Sequence, residues 1–258
     1  MNNQKINILG IDISATNMGD ALSKIEHLIL TKKQGYVCVC PNHTIMESQK
    51  DSKLRNIVNS ADIATPDGMS IVWASKLLGH HEVKQVTGTE LIIAVSDLSE
   101  KKGYTHFYYG GADGIPEKLA ENMQQIFPNL KIIGTHSPPF RNLADDEDNA
   151  IVDIINNANP DIVWVGLGMP KQELWIGEHF GRIKAPVMIG VGAAFDFLSG
   201  KKKRAPKWMQ KAGLEWLFRL IQEPKRLWRR NLYHPIFFFR LFLQITGIKH
   251  FPDSIKNI

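Results

Sequence analysis

Polar side chains with catalytic or ligand-binding chemistry follow several apolar runs of this 258-residue chain. Asp67 lies in the turn Pro66-Asp67-Gly68, and Asn42 follows the apolar run Tyr36–Cys40. A carboxylate at a strand end can act as a general base if it reaches a substrate hydroxyl at about 3 Å. It can equally cap the following helix, so both interpretations of Asp67 stay open. Asn42 has the same alternative, and its functional role would be to bind a substrate hydroxyl or to orient Asp67.

A second set of polar residues lies between residues 160 and 204, where two apolar runs each lead into a pair of glycines. After the first pair, Lys171 would hold a phosphate, and Gln172 and Glu173 would contact sugar hydroxyls or amides. The alternative for these three residues is the exposed first turn of a helix. After the second pair comes a lone carboxylate, Asp196.

Glycine pairs at strand ends are typical of loops that receive a phosphate through backbone N–H groups. Each turn alone could be simply a tight connection, but their recurrence favours diphosphate or nucleotide binding. We therefore expect contact with the substrate from Gly110, Gly111, Gly166, Gly168, Gly190 and Gly192. Contact is also expected from Thr65, which precedes the turn Pro66-Asp67-Gly68. None of these turns completes the three-glycine dinucleotide pattern, which disfavours the alternative of a nicotinamide-dependent oxidoreductase.

No metal site and no cofactor are predicted. The run Asp146-Glu147-Asp148 matches the D-x-D pattern of metal-dependent sugar transferases. It lies, however, within four acidic residues at a predicted helix start, where the helix dipole explains it. The nine histidines form no pair with ligand spacing and supporting residues.

Strands that alternate with helices predict a parallel, Rossmann-like α/β sheet with helices on both faces. Within it we expect a first strand at Ile6–Leu9, one helix that includes both Ile45 and Val58, and a helix capped by Thr89. The composition changes near residue 199. The sequence therefore predicts a catalytic domain over 1–199 and a helical, basic appendage over 200–258.

The appendage is predicted to contact an anionic membrane surface. Between Gly200 and Asn231 there are eleven lysines and arginines against two glutamates, whereas the rest of the chain is mildly acidic. The run Ile236–Ile245 is too short to span a bilayer but suits an interfacial segment. The arginines expected at the membrane are Arg204, Arg219, Arg226, Arg229 and Arg230. A helix docked on the core and a nucleic-acid-binding segment are the alternatives, but no nucleic-acid module is recognisable, so no nucleic-acid partner is expected.

The N-terminus lacks a charged segment followed by a long apolar one, so we expect no secretory signal. No run of about 18 apolar residues occurs, so we expect no transmembrane helix. Self-association into a homo-oligomer stays open. A non-catalytic membrane-binding module also remains an alternative, although it would leave the polar residues at the strand ends unexplained.

Six pieces of the sequence resemble the TagA/WecG/CpsF family of bacterial glycosyltransferases. They are ADIATPDGMSIVWASKLLG, VTGTELI, YYGGADG, PDIVWVGLGMPKQELWI, IGVGAAFDFLSGKKKRAP and GLEWLFRLIQEPKRLWRRN. The resemblance implies inverting, metal-independent transfer of a sugar from a UDP-sugar to a polyprenyl-diphosphate-linked saccharide, at the cytoplasmic membrane face. The leading donor sugar is N-acetylmannosamine or a related hexose, used to make a cell-surface polymer such as teichoic acid, capsule or exopolysaccharide. The chain departs from the teichoic-acid enzymes at Cys40, where they have Thr, and at Gln85, where they have Arg.

The resemblance also implies roles for individual residues. Asp67 corresponds to the proposed catalytic base, and Asn42 and Gln172 correspond to its companions in the active site. Asp196 lies where the family contacts the nucleotide, and the basic tail resembles the family's membrane appendage.

Overall fold

The computed structural model describes residues 4–251. Its strands within that range are β1 (Lys5–Ile8), β2 (Ile11–Ser14), β3 (Gly35–Cys40), β4 (Ile63–Pro66), β5 (Thr105–Gly110), β6 (Lys131–His136), β7 (Ile162–Gly166) and β8 (Val187–Gly190). Its helices are α1 (Met18–Thr31), α2 (Asn42–Ser48), α3 (Ser52–Ser60), α4 (Met69–Leu77), α5 (Gly88–Lys102), α6 (Ile115–Ile126), α7 (Asp145–Ala158), α8 (Lys171–His179), α9 (Ala194–Leu198), α10 (Lys207–Lys211), α11 (Glu215–Gln222), α12 (Pro224–Asn231) and α13 (Tyr233–Ile245).

Six of these strands form one parallel sheet in the order β4-β3-β8-β7-β5-β6. The central strands pair in register, so that Tyr36 lies beside Met188 and Met188 beside Val163. Almost every residue of β3, β7 and β8 is buried, which is typical of parallel strands with both faces covered. The prediction of a Rossmann-like α/β fold is therefore confirmed.

The strand predicted at the N-terminus does not join the parallel sheet. β1 pairs antiparallel with β2, a strand that the sequence did not indicate, in a separate two-stranded sheet. The connecting residues Leu9 and Gly10 have φ angles of +55° and +86°. A tight hairpin turn of this kind usually carries Asn-Gly or Asp-Gly, so the leucine removes the ordinary sequence signal.

Two local helix predictions were wrong. The residues from Ile45 to Val58 form two helices, α2 and α3, because Asp51 interrupts the segment and accepts a hydrogen bond from the backbone nitrogen of Leu54 at 3.1 Å. A side-chain cap of this kind starts a new helix. Thr89 is not a cap, since it lies inside α5 and is buried there.

The chain divides into two compact units. The first unit contains the residues up to Asp20, the segment Val39–Thr87 and the residues from Lys203 onward. The second unit contains Ala21–Cys38 and Gly88–Lys202. The division of the chain at residue 199 into a catalytic domain and an appendage stays a prediction.

One side of α13 is docked within the first unit. Phe237 and Leu241 are buried, and Arg240 donates a hydrogen bond to the side chain of Gln49, just after α2. Gln244 accepts a hydrogen bond from the backbone nitrogen of Leu9 at 2.9 Å. The docked-helix alternative is thus confirmed for this side of α13.

The other side of α13 is exposed and apolar. Its exposed apolar side chains are Ile236, Phe238, Phe239, Phe242 and Ile245. Among the helices of the described residues, none is both long enough and apolar enough to cross a bilayer. The prediction of a membrane-contacting segment therefore concerns this exposed apolar side.

Candidate active site

Asp67 lies in the turn between β4 and α4, in the first unit. The N-cap position of α4 is occupied by Gly68, with φ at +93°, so Asp67 stands one residue before it. The backbone nitrogen of Asp67 donates a hydrogen bond to the carbonyl oxygen of Cys40 at 3.3 Å. The residue is half-buried. A carboxylate in a turn that is fixed in this way suits a general base, which must approach its proton closely.

Thr65 supports the strand that leads to this turn. Its side chain is fully buried, and its hydroxyl donates to the carbonyl oxygen of Val86 at 3.1 Å. The backbone nitrogen of Val86 in turn donates to the carbonyl oxygen of Pro66 at 3.0 Å. The hydroxyl of Thr65 therefore helps to fix the strand end that precedes Asp67, and its contact with a substrate stays a prediction.

Asn42 is the first residue of α2 and is buried. Its Nδ2 atom lies 2.9 Å from Nδ1 of His234, which belongs to α13. The His234 ring packs against the indole of Trp216, with the ring centroids 5.0 Å apart. The structure thus adds His234, which the sequence did not indicate, to the surroundings of Asn42. No local pattern could reveal it, because 192 residues separate the two.

Arginine side chains interact electrostatically with Asp67 and with His43, the residue after Asn42. Burial, reinforced by the guanidinium groups of Arg219 and Arg226, lowers the pKa of Arg230 to about 10, and Asp67 acts in the opposite direction. Burial also lowers the pKa of His43 well below its ordinary value, and the charges of Arg230 and Arg219 add to that effect. Near neutral pH His43 is therefore uncharged, and the arginines carry the positive charge.

The five arginines predicted at a membrane fall into two groups. Three are half-buried in the first unit, namely Arg204, Arg219 and Arg230. Arg204 donates to Oγ1 of Thr87 at 3.3 Å and lies 3.6 Å from a carboxylate oxygen of Glu215. Arg226 and Arg229 are exposed, Arg226 pairs with Glu223, and Arg229 lies over the Trp228 ring. Of the five predicted arginines, only these two are exposed, as contact with a membrane surface requires.

The glycine turns of the second unit pack closely against one another. A Cβ atom on Gly110 would lie 2.7 Å from the carbonyl carbon of Gly166, and one on Gly166 would lie 2.5 Å from the ring of Phe195. The backbone nitrogen of Gly111 donates to the carbonyl oxygen of Gly166 at 3.0 Å. Close packing thus explains these glycines without a ligand, whereas a Cβ on Gly168 would meet nothing within 4 Å. Phosphate binding by the turns stays a prediction.

Gln172 and Glu173 form a buried pair at the start of α8, with exposed fractions of 3% and 0%. Nε2 of Gln172 donates to a carboxyl oxygen of Glu173 at 2.9 Å. Oε1 of Gln172 and the other carboxyl oxygen of Glu173 have no hydrogen-bond partner among the described residues. Burial raises the pKa of Glu173 to about 7. Gln172 also lies against Gly190 and Gly192: a Cβ on Gly190 would lie 3.2 Å from Nε2 of Gln172, and one on Gly192 would lie 3.4 Å from its Oε1.

Lys171 and Asp196 are more accessible. Lys171 begins α8 and is exposed, so the alternative of an exposed first helical turn holds for Lys171 but not for Gln172 or Glu173. Asp196 is half-buried in α9, and its carboxylate pairs with Nζ of Lys202 at 2.9 Å. Both residues are at least partly accessible to solvent, and their contact with a ligand stays a prediction.

The acidic run at the start of α7 is engaged in structural contacts. Glu147 accepts hydrogen bonds from both terminal nitrogens of Arg141 and from the backbone nitrogen of Ala144. Asp148 pairs with His179 and Arg182 at 2.9 and 2.8 Å. These contacts support the explanation of the run as a helix start. Over residues 4–251, the carboxylates, histidines and cysteines form no cluster of three or more that could hold a metal ion.

Known proteins are similar to this chain over nearly its whole length. The family model described as "Glycosyl transferase WecG/TagA/CpsF family" matches residues 6–250. An N-acetylglucosaminyldiphosphoundecaprenol N-acetyl-beta-D-mannosaminyltransferase of Bacillus spizizenii is 30% identical over 250 residues, which cover 96% of this chain and 95% of that protein. A Staphylococcus aureus protein of the same name is 27% identical, over 93% of each chain.

Proposed function

Because the chain belongs to the WecG/TagA/CpsF family and is a glycosyltransferase, we propose that it transfers N-acetylmannosamine or a related hexose from a UDP-sugar to a polyprenyl-diphosphate-linked saccharide. The names of the two relatives specify an undecaprenol-linked N-acetylglucosamine acceptor and a β-mannosaminyl product. That acceptor is the first one to test here. The reaction would serve the synthesis of a cell-surface polymer.

The arrangement around Asp67 carries this proposal. The carboxylate stands in a turn whose backbone is hydrogen-bonded to Cys40, and its charge is felt by the half-buried Arg230. In the proposed reaction, Asp67 removes the proton from the acceptor hydroxyl. The hydroxyl oxygen attacks the anomeric carbon of the donor at the same time, and UDP leaves. Attack from the side opposite to UDP inverts the configuration at that carbon. Asn42 would hydrogen-bond a substrate group.

The positive groups of the first unit suit an acceptor that carries a diphosphate. Arg219 and Arg230 are half-buried, and each lowers the pKa of His43 through its charge. Partly buried guanidinium groups bind phosphate oxygens through charge-assisted hydrogen bonds. We assign these two arginines to an anionic substrate group, and Arg226 and Arg229 to a membrane surface.

The donor would be bound by residues of α8 and α9. Lys171 would contact the diphosphate, Asp196 the nucleotide, and the unpartnered Oε1 of Gln172 a hydroxyl or amide of the sugar. Lys171 and the backbone N–H groups of the glycine turns would stabilise the departing UDP electrostatically, without a metal.

The chain would act as a peripheral protein at the cytoplasmic face of the cell membrane. The exposed apolar side of α13 supports this part of the proposal, together with exposed basic residues such as Arg229. An interfacial helix has such an apolar side with cationic groups nearby.

The proposed function is tested with the full-length chain, a panel of UDP-sugars and a short-chain polyprenyl-diphosphate N-acetylglucosamine acceptor. Mass spectrometry should detect a disaccharide product from UDP-N-acetylmannosamine, and NMR should show a β linkage. The same panel in a thermal-shift assay should reveal stabilisation by UDP compounds that persists in EDTA. If no UDP-sugar is transferred or bound, the proposal is wrong.

A further inference from the structure

The orientation of the Asn42 amide implies one tautomer of the His234 ring. In this orientation the amide nitrogen of Asn42, which can only donate, lies 2.9 Å from Nδ1 of His234, so that Nδ1 is the acceptor. The proton of the neutral ring is then on Nε2. With its nitrogen turned towards His234, Asn42 directs its Oδ1 atom away from the ring.

The surroundings of His234 favour a neutral ring over a protonated one. Arg230 on α12 and His43 on α2 are the charged and titratable groups that face it, and the neighbouring Trp216 ring is uncharged. Burial, with a smaller contribution from the Arg230 charge, lowers the pKa of His234. Next to it along α13, Tyr233 donates to the carboxylate of Glu47.

We propose that His234 is a positioning residue that holds the Asn42 amide with Oδ1 as its hydrogen-bond acceptor for the substrate. The inference rests on the proposed function, in which Asn42 contacts substrate. The C-terminal segment would then position an active-site residue, in addition to its proposed contacts with phosphate groups and with a membrane. The inference also means that Asn42 recognises a substrate donor group, a hydroxyl or an N–H, rather than an acceptor oxygen.

α13 has docking contacts besides those of His234. Phe237 and Leu241 are buried, and Gln244 bonds to the backbone of Leu9 and of Asn7 at 2.9 and 2.8 Å. Variants of His234 should therefore fold, and their effects on activity can be separated from loss of structure.

The kinetic test uses three variants of the full-length chain. His234→Phe keeps a ring against Trp216 but loses the acceptor nitrogen, and should lower kcat/KM about tenfold, the effect of one lost hydrogen bond. His234→Gln supplies an oxygen acceptor and should recover most of that activity. Gln244→Ala removes a different docking contact of α13, and serves as the control for a loosened helix.

A double-mutant cycle separates positioning from packing. If His234 acts through Asn42, His234→Phe should add little to the loss caused by Asn42→Ala, because the two changes remove the same interaction. Full additivity, or no rescue by His234→Gln, would overturn the proposal, and so would a Gln244→Ala variant as impaired as His234→Phe.

NMR of the ring nitrogens of His234 tests the proposal without an activity assay, because it shows which nitrogen is protonated. The proposal requires an Nε2-protonated ring with an unprotonated Nδ1 at neutral pH, and an Nδ1-protonated ring would overturn it. If the expected tautomer is seen but no sugar is transferred, the contact is supported and only the proposed function fails.

Discussion

The backbone nitrogen of Asp67 and the carbonyl oxygen of Cys40 are joined by a hydrogen bond of 3.3 Å. This bond connects the turn after β4 to the last residue of β3, two positions before Asn42. A carboxylate and an amide from different strands are thereby held in neighbouring turns. The bond uses backbone atoms, so substitution of either side chain need not break it.

Replacement of Asp67 by Asn should slow catalysis strongly without loss of the fold. The Asn amide has nearly the same shape as the Asp carboxylate but cannot take up a proton from the hydroxyl of the acceptor substrate. We therefore expect kcat to fall by roughly 100-fold or more. Donor affinity, measured by titration calorimetry, should change far less. Asp62→Asn is the matched control, because Asp62 is exposed at the other end of the same strand. Turnover close to wild type in Asp67→Asn would exclude Asp67 as the base.

Two arginines of α12 should behave differently when each is changed to Gln. Arg230 is half-buried and close enough to Asp67 for their charges to interact, whereas Arg226 is exposed. With a short, water-soluble acceptor, Arg230→Gln should lower kcat/KM by about tenfold or more, as expected for a lost charge-assisted hydrogen bond. Arg226→Gln should affect that assay much less. Equal effects would contradict the division into inward and outward arginines.

The exposed side of α13 should determine binding to vesicles. Changing Phe239 and Phe242 to Ser removes two exposed rings, and burial of one such side chain is worth roughly 1.5–3 kcal/mol. Co-sedimentation with vesicles that contain anionic lipid should therefore weaken more than tenfold, while the melting temperature stays near wild type. Phe237→Ser is the contrasting variant, because Phe237 is buried and its loss should lower the melting temperature. Unchanged sedimentation of the double variant would place the membrane contact elsewhere.

Glu173 should make the protein less stable as the pH rises. Its pKa is raised from 4.5 to about 7 in the folded chain, so between these values the folded state binds more protons than the unfolded state. Stability is then lost from about pH 4.5 to pH 7, by up to about 3 kcal/mol for this one group. Glu173→Gln keeps an oxygen for the Gln172 amide but cannot ionise.

Urea denaturation at pH 5 and pH 8 checks this expectation. Relative to wild type, Glu173→Gln should gain stability at the higher pH. The exposed residue Glu178 on the same helix supplies the control, since Glu178→Gln should show no such gain. A stability difference between wild type and Glu173→Gln that is the same at both pH values would show that Glu173 does not titrate there.

The sheet was predictable because its strands are apolar runs separated by helix-length segments. β2 was missed, since the turn at Leu9 and Gly10 adopts a left-handed backbone without the residues that usually indicate one. The break between α2 and α3 depends on one aspartate cap, which a helical spacing of apolar residues hides.

The candidate site was predictable only in part. Asp67 and Asn42 could be selected because each follows a strand at a proline-containing turn. His234 could not, because its role depends on a contact across 192 residues. The inward orientation of Arg204 and Arg230 was equally hidden, since a run of basic residues in the sequence does not show which of them face the protein.

The order of segments in the first unit has a consequence for its biosynthesis. Asp67 and Asn42 leave the ribosome early, but the partner of the Asn42 amide follows 192 residues later. At typical rates of about 5–20 residues per second, that delay is on the order of ten seconds or more. Until then the nascent chain holds Asn42 without His234 and without the apolar side of α13. Until His234 has emerged, a nascent chain would therefore expose the incompletely packed surroundings of Asn42 to chaperones.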